Sequence, residues 1–89
     1  MLRNAVHAGT FYPRFASQLN PLFEAWAQNA PRASVTGRSL ALVLPHAGYM
    51  YSGECAARGF QTLIHEHVDS FIILHPSHYA GNFEFSVSP

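Results

Sequence analysis

Two apolar runs, residues 40–44 (Leu-Ala-Leu-Val-Leu) and 71–74 (Phe-Ile-Ile-Leu), constrain the fold of this 89-residue chain more than any other feature. Neither alternates apolar with polar positions. Each therefore reads as a strand buried on both faces, the pattern of a parallel sheet covered by helices. Between them Ala56, Ala57, Phe60, Leu63 and Ile64 fall at helical spacing and form one inward stripe. Strand, helix and strand within about 35 residues make a βαβ unit, whose crossover is right-handed. The fold class expected is α/β: a parallel βαβ core with an N-terminal helix, part of a larger helix-covered α/β sheet.

The N-terminal helix is marked by Leu19, Leu22, Phe23 and Trp26, again one face of a helix. Ser17 is a suitable N-cap and places Pro21 in the first turn, and a start at Asn20 with Pro21 as first residue fits almost as well. The helix runs to about Asn29, and Pro31 and Gly37 then bracket a polar surface connection. In the second helix Ser52 is placed to cap, and Glu54 puts negative charge in the first turn. Gly59 weakens that helix, with close packing on the sheet as its compensation. His65 and His67 fall at its C-terminal end, where the helix carbonyls favour them, and they read as structural. Residues 7–13, His-Ala-Gly-Thr-Phe-Tyr-Pro, read as an ordered loop with its aromatic rings turned inward, Gly9 and Pro13 setting its backbone. Residues 83–87 alternate with period two and read as a half-exposed strand.

Composition removes several classes of function. The chain is 48% hydrophobic and 11% charged, against roughly 25% charged in an ordinary soluble domain. It must bury much of its surface in itself or against something else. A membrane is not implied, since no apolar run approaches the roughly 18 to 20 residues that span a bilayer. The N-terminus carries one basic residue and no apolar stretch of signal-peptide length, so a cytoplasmic location is expected. Five basic residues balance five acidic ones and are scattered, which leaves no electrostatic footprint for nucleic acid. Cys55 is the one cysteine, so neither an intrachain disulfide nor a thiolate zinc cluster is available. The unusual component is six histidines.

Three of those histidines stand where chemistry is expected. His46 follows Pro45 at the end of the first run and precedes a glycine-punctuated turn, and the second run ends in a loop bearing His75 and His78. Neighbouring strands lie about 5 Å apart, so His46 and His78 would meet at the sheet edge where open α/β sheets hold ligands. A neutral imidazole gives a metal one lone pair and anchors its other nitrogen by a hydrogen bond. Two histidines do not close a site. A non-haem iron centre takes two histidines and a carboxylate, and a catalytic zinc takes three protein ligands. From the residues alone, the pair is either part of a metal or substrate site or two polar side chains finishing strands in loops.

Three stretches together resemble a known family. These are residues 7–13, residues 45–53 (Pro-His-Ala-Gly-Tyr-Met-Tyr-Ser-Gly) followed by Ala56 and Ala57, and Pro76-Ser77-His78 after an apolar strand. In order and spacing they are similar to the Memo family, whose bacterial and archaeal members are called AmmeMemoRadiSam system protein B. The resemblance implies a fold related to the catalytic subunit of class III extradiol dioxygenases, which cleave catechol-type rings with non-haem iron. It implies that His46 and His78 are metal-site residues, with iron or copper as the metal. The remaining family ligand, a cysteine, and a nearby acidic residue lie further along the family's chain and have no counterpart here; Cys55 reads as packing. The family usually has glycine where this chain has His75, so this side chain either crowds the site, turns outward or adds a ligand.

The chain accordingly reads as the N-terminal part of a single Memo-like α/β domain, residues 1–89, with the site half built. Alone, it is expected to be marginal and to self-associate. Two functions remain open. In the first, the full-length relative is a metal-binding enzyme or redox protein acting on a small substrate or oxygen species, with Tyr49, Tyr51, Ser77 and His75 as pocket candidates and the fragment itself inactive. Packing under the loop explains the tyrosines as well, and a turn-stabilising hydroxyl explains Ser77. In the second, the same cleft is a non-catalytic protein- or peptide-interaction module. The family resemblance also implies an AMMECR1-type domain and a radical S-adenosylmethionine protein as partners.

Overall fold

The computed structural model describes residues 3–29, 35–79, 81, 82, 84 and 87. Helix α1 spans Ala16–Asn29 and helix α2 spans Glu54–Phe60. A π-helical turn, Tyr49–Gly53, leads into α2, and a 3-10 turn, Gln61–Leu63, prolongs it. Among the described residues there is no β-strand, and an isolated bridge pairs Ala8 with Tyr12. Residues 40–44 and 71–74 thus carry no ladder there, and the α/β sheet remains a proposal. Pro31 falls outside the described residues, as does most of the alternating tail at 83–87.

Helix α1 begins earlier than either capping residue would place it. The Phe15 carbonyl accepts from the amides of Gln18 at 3.0 Å and Leu19 at 3.1 Å, so Ser17 lies inside the first turn and caps nothing. Pro21 consequently sits in the second turn. It has no N–H to give to the Ser17 carbonyl, a local weakness that the packing of α1 offsets. Leu19, Leu22 and Trp26 are half-buried along one face, as their spacing predicts.

That face meets the turn leading into α2 at Gly53, and α2 itself meets the 40–44 segment at Gly59. A Cβ at Gly53 would collide with the edge of the Trp26 indole, and one at Gly59 would collide with Leu44 Cδ2. Both glycines are therefore points of contact as well as breaks in helix propensity. Gln61 adds a polar tie: its amide donates to the Ala27 carbonyl at 3.2 Å and the Trp26 carbonyl at 3.4 Å. These carbonyls belong to the last turn of α1, where the helix offers no amides of its own.

Ser52 does not cap α2. Winding starts upstream at Gly48, whose carbonyl accepts from Tyr51 at 2.9 Å and Ser52 at 3.2 Å, while the Ser52 hydroxyl donates back to the Ala47 carbonyl at 3.3 Å. Glu54 lies in the first turn of α2 and pairs with Arg58 at 2.8 Å across one turn. Beyond the helices, His67 Nε2 pairs with Asp69 at 3.0 Å on the exposed surface.

Leu40 is exposed, and burial alternates from Ala41 to Leu44. Leu42 and Leu44 are half-buried while Ala41 and Val43 are exposed, as in an extended segment covered on one side only. Residues 71–79 are exposed throughout. Among the described residues only Gly48 and Gly53 are fully buried, so α1, α2 and the turn between them form a small packed corner with an open apolar side.

Candidate metal centre at His46 and His78

The turn that carries His46 is clamped from behind. Gly9, at φ +88°, allows residues 7–12 to double back. There the His7 carbonyl accepts from the amides of Thr10 at 3.1 Å and Phe11 at 3.0 Å, and Gly9 donates to the Tyr12 carbonyl at 2.7 Å. Arg14 Nη2 closes the loop on the Ala8 carbonyl at 3.0 Å. The Phe11 carbonyl then accepts from the Tyr49 amide at 2.7 Å. Gly48 is buried beside it, 3.4 Å from that carbonyl at the position a Cβ would take.

The Tyr49 ring occupies the middle of an aromatic cluster. Its centroid lies 5.4 Å from Tyr12, 5.8 Å from Trp26 and 6.1 Å from Phe23, distances at which tilted rings attract. A side chain three residues after His46 is thus locked between the N-terminal loop and α1. Tyr51 is exposed and does not line the cleft beside His46. The clamp fixes the direction in which His46 leaves the backbone.

His46 meets His78. Their Nε2 atoms lie 3.2 Å apart and their ring centroids 5.4 Å apart at an interplanar angle of 38°, although 32 positions separate them in sequence. Two neutral imidazoles at this distance share one proton: one Nε2 donates and the other accepts, so the rings are opposite tautomers. The same lone pairs suit a metal. A metal bonded to both nitrogens at about 2.0–2.1 Å holds them about 2.9 Å apart at a right angle and about 3.3–3.4 Å apart at the tetrahedral angle. The spacing in the chain falls between these values, so the pair fits two positions of a coordination sphere.

The set stops at two. Among the described residues no group of three or more histidine, cysteine, aspartate or glutamate side chains could hold a metal. His75 and Cys55 therefore do not join the pair. The His75 Nδ1 donates to the Pro76 carbonyl at 3.0 Å, and Cys55 is a free, exposed thiol on α2. Ser77 is exposed on the loop between His75 and His78. Beside His46 runs a cleft of about 720 Å³, bounded by His7, His46, Trp26, Tyr49, Phe60 and Phe71 among others; His78 is not among its lining residues.

Two residues of this arrangement carry no local sequence signal. Gln61 acts on carbonyls 34 and 35 positions away, and the seating of Trp26 against Gly53 spans 27 positions. A glycine-punctuated turn next to a histidine was the one visible sign that something must approach closely.

A clamped turn presenting one imidazole to a second, loop-borne imidazole defines a histidine-pair scaffold with room for further ligands. Comparison with known proteins gives that scaffold its family. The chain matches the family model described as Memo-like protein over residues 3–89 and belongs to that family. It is 38% identical over 87 residues to Protein MEMO1 of Danio rerio, covering 98% of this chain and 29% of that protein. It is 42% identical over 77 residues to Protein memo-1 homolog of Caenorhabditis elegans, covering 85% of this chain and 21% of that protein. Against Protein MEMO1 of Homo sapiens it is 36% identical over 77 residues, 86% of this chain and 25% of that protein. The chain thus spans 21–29% of the length of these curated relatives. No solved structure matches it.

Proposed function

We propose that this chain carries the histidine half of a Memo-type metal site, in which His46 and His78 hold iron or copper and further ligands come from outside the described residues. The 3.2 Å separation of the two Nε2 atoms carries this reading. Bound there, the metal would supply Lewis-acid or redox chemistry toward a small substrate or an oxygen species, in a protein related to the class III extradiol dioxygenases. The chain's own residues do two things. The Tyr49 clamp holds His46 in place, and the cleft lined by Trp26, Phe60 and Phe71 gives the His46 side an apolar wall. With two of at least three ligands, the 89-residue chain binds metal weakly and does not turn over. A cytoplasmic location and association with AMMECR1-type and radical S-adenosylmethionine proteins belong to the same proposal; no helix of the described residues is long and apolar enough to cross a membrane.

Metal titration tests it. With copper or zinc as probe, His46→Ala and His78→Ala should each weaken binding tenfold or more, and His75→Ala should change it less than threefold. Affinity should also fall on acidification, because protons compete for the same lone pairs. Equal losses in His75→Ala and His78→Ala would assign the metal to the loop alone and remove His46 from the site. A second reading, an interaction module that binds a peptide segment, is favoured by one observation, the apolar walls of the same cleft. It predicts peptide affinity unaffected by metal chelators.

A further inference from the structure

Tyr12, Tyr49 and Trp26 form an unbroken run of rings. Tyr12 and Tyr49 lie 5.4 Å apart between centroids, and Tyr49 meets Trp26 at 5.8 Å in an edge contact of 63°. All three are half-buried. They line the cleft beside His46, and they also line a second cleft, of about 540 Å³, that His46 does not border. The rings are thus a wall common to two clefts. Packing alone does not ask for these residue types: Phe23, 5.9 Å from Trp26 and 6.1 Å from Tyr49, takes its place in the same cluster with a plain ring. What phenol and indole add is redox chemistry. Each gives up one electron far more readily than a phenyl ring or an imidazole, and its O–H or N–H proton leaves with it.

We infer that Tyr49, Tyr12 and Trp26 are a one-electron relay that begins three residues after His46 and carries an oxidising equivalent away from it. The relay needs no metal. Its use, sparing His46 and His78 from oxidation, rests on the metal reading, because copper and iron are the groups that bring one-electron and oxygen chemistry to such a place. The step balances with a hydroxyl radical from hydrogen peroxide as oxidant. The radical takes one hydrogen atom from the Tyr49 phenol and becomes water. The Tyr49 phenoxyl regains an electron and a proton as Tyr12 or Trp26 loses one of each, and the imidazoles are left intact.

Pulse radiolysis of the 89-residue chain, with chelator present, tests the relay. Azidyl radicals, themselves reduced to azide, oxidise Trp26, the one tryptophan. Indolyl absorption should decay as phenoxyl absorption rises, at a rate independent of protein concentration. Tyr49→Phe keeps the ring and should slow this transfer about tenfold with Trp26 emission unmoved. Tyr51→Phe and Tyr79→Phe, at exposed positions outside the cluster, should change it less than twofold. A rate that scales with concentration, survives Tyr49→Phe or falls equally in all three variants overturns the relay. Copper with ascorbate and hydrogen peroxide tests its use. Tyr49→Phe, at copper affinity matched within twofold, should raise oxygen addition to His46 and His78 about threefold by peptide mass spectrometry, and unchanged addition overturns the protective role. If neither protein shows copper-directed oxidation at these histidines while the transfer rate stands, the metal reading fails and the relay is upheld.

Discussion

Gly53 and Gly59 permit a matched experiment on how the site is held. Both lie in helical backbone, Gly53 at φ −61° and ψ −43°, so alanine fits either without backbone strain. Each substitution should gain about 1 kcal/mol of helix propensity. The difference lies in what the new methyl meets. At Gly59 it meets the end of Leu44, which moves by a rotamer change costing about 0.5–1.5 kcal/mol, so Gly59→Ala should come out near neutral. At Gly53 it meets the Trp26 indole, held by Phe23 at 5.9 Å and Tyr49 at 5.8 Å. Overpacking a rigid ring costs up to about 3 kcal/mol, leaving a net loss of about 2 kcal/mol after the propensity gain. Trp26 is the one tryptophan in the chain, so its emission reports the displacement directly. Urea unfolding followed by circular dichroism and by Trp26 emission, at matched protein concentration, should rank Gly59→Ala well above Gly53→Ala. The emission should shift in the Gly53 variant only. Equal stability of the two, or an unshifted Trp26, would refute the claim that this contact seats the turn bearing His46.

Two further substitutions examine the remaining ties. Gln61→Ala removes two donors from the last turn of α1 and should cost about 1 kcal/mol in urea unfolding; Gln61→Glu should cost more, since a carboxylate cannot donate and sits against the negative end of the helix dipole. Ser52→Ala should cost under about 0.5 kcal/mol, because its hydroxyl only donates back to Ala47, whereas removal of a true N-cap would cost about 0.5–2 kcal/mol; a thermal midpoint falling by several degrees would restore Ser52 as a cap.

What the sequence reveals is local. The stripe of α1, its end at Asn29 and the tight loop at Gly9 follow from spacing and from glycine and proline chemistry within a few residues. Both helix starts are displaced for one physical reason: a carbonyl upstream of the presumed cap, Phe15 in one case and Gly48 in the other, is close enough to accept the first amides. Serine in the first turn looks the same in sequence whether its oxygen caps or bonds backwards. The Gln61 tie and the Trp26–Gly53 seat are invisible because they depend on how α1 crosses α2. The pairing of His46 with His78 was legible only through the expectation that two apolar runs end side by side. The chain places the histidines together at 3.2 Å even though the runs themselves carry no ladder among the described residues.

The two halves of that pair are held unequally. His46 leaves a turn fixed by the Phe11–Tyr49 hydrogen bond, a buried Gly48 and three aromatic neighbours of Tyr49. His78 lies near the end of a segment, 71–79, in which every residue is exposed. Binding a ligand to both therefore draws on a preorganised donor and on one whose ordering must be offset by the binding itself. Whatever covers Ile72 and Leu74 also orders the backbone that leads to His78, so coverage of the apolar face and affinity at the histidine pair are linked. The linkage is reciprocal: a metal that orders His78 favours the covered state by the same free energy.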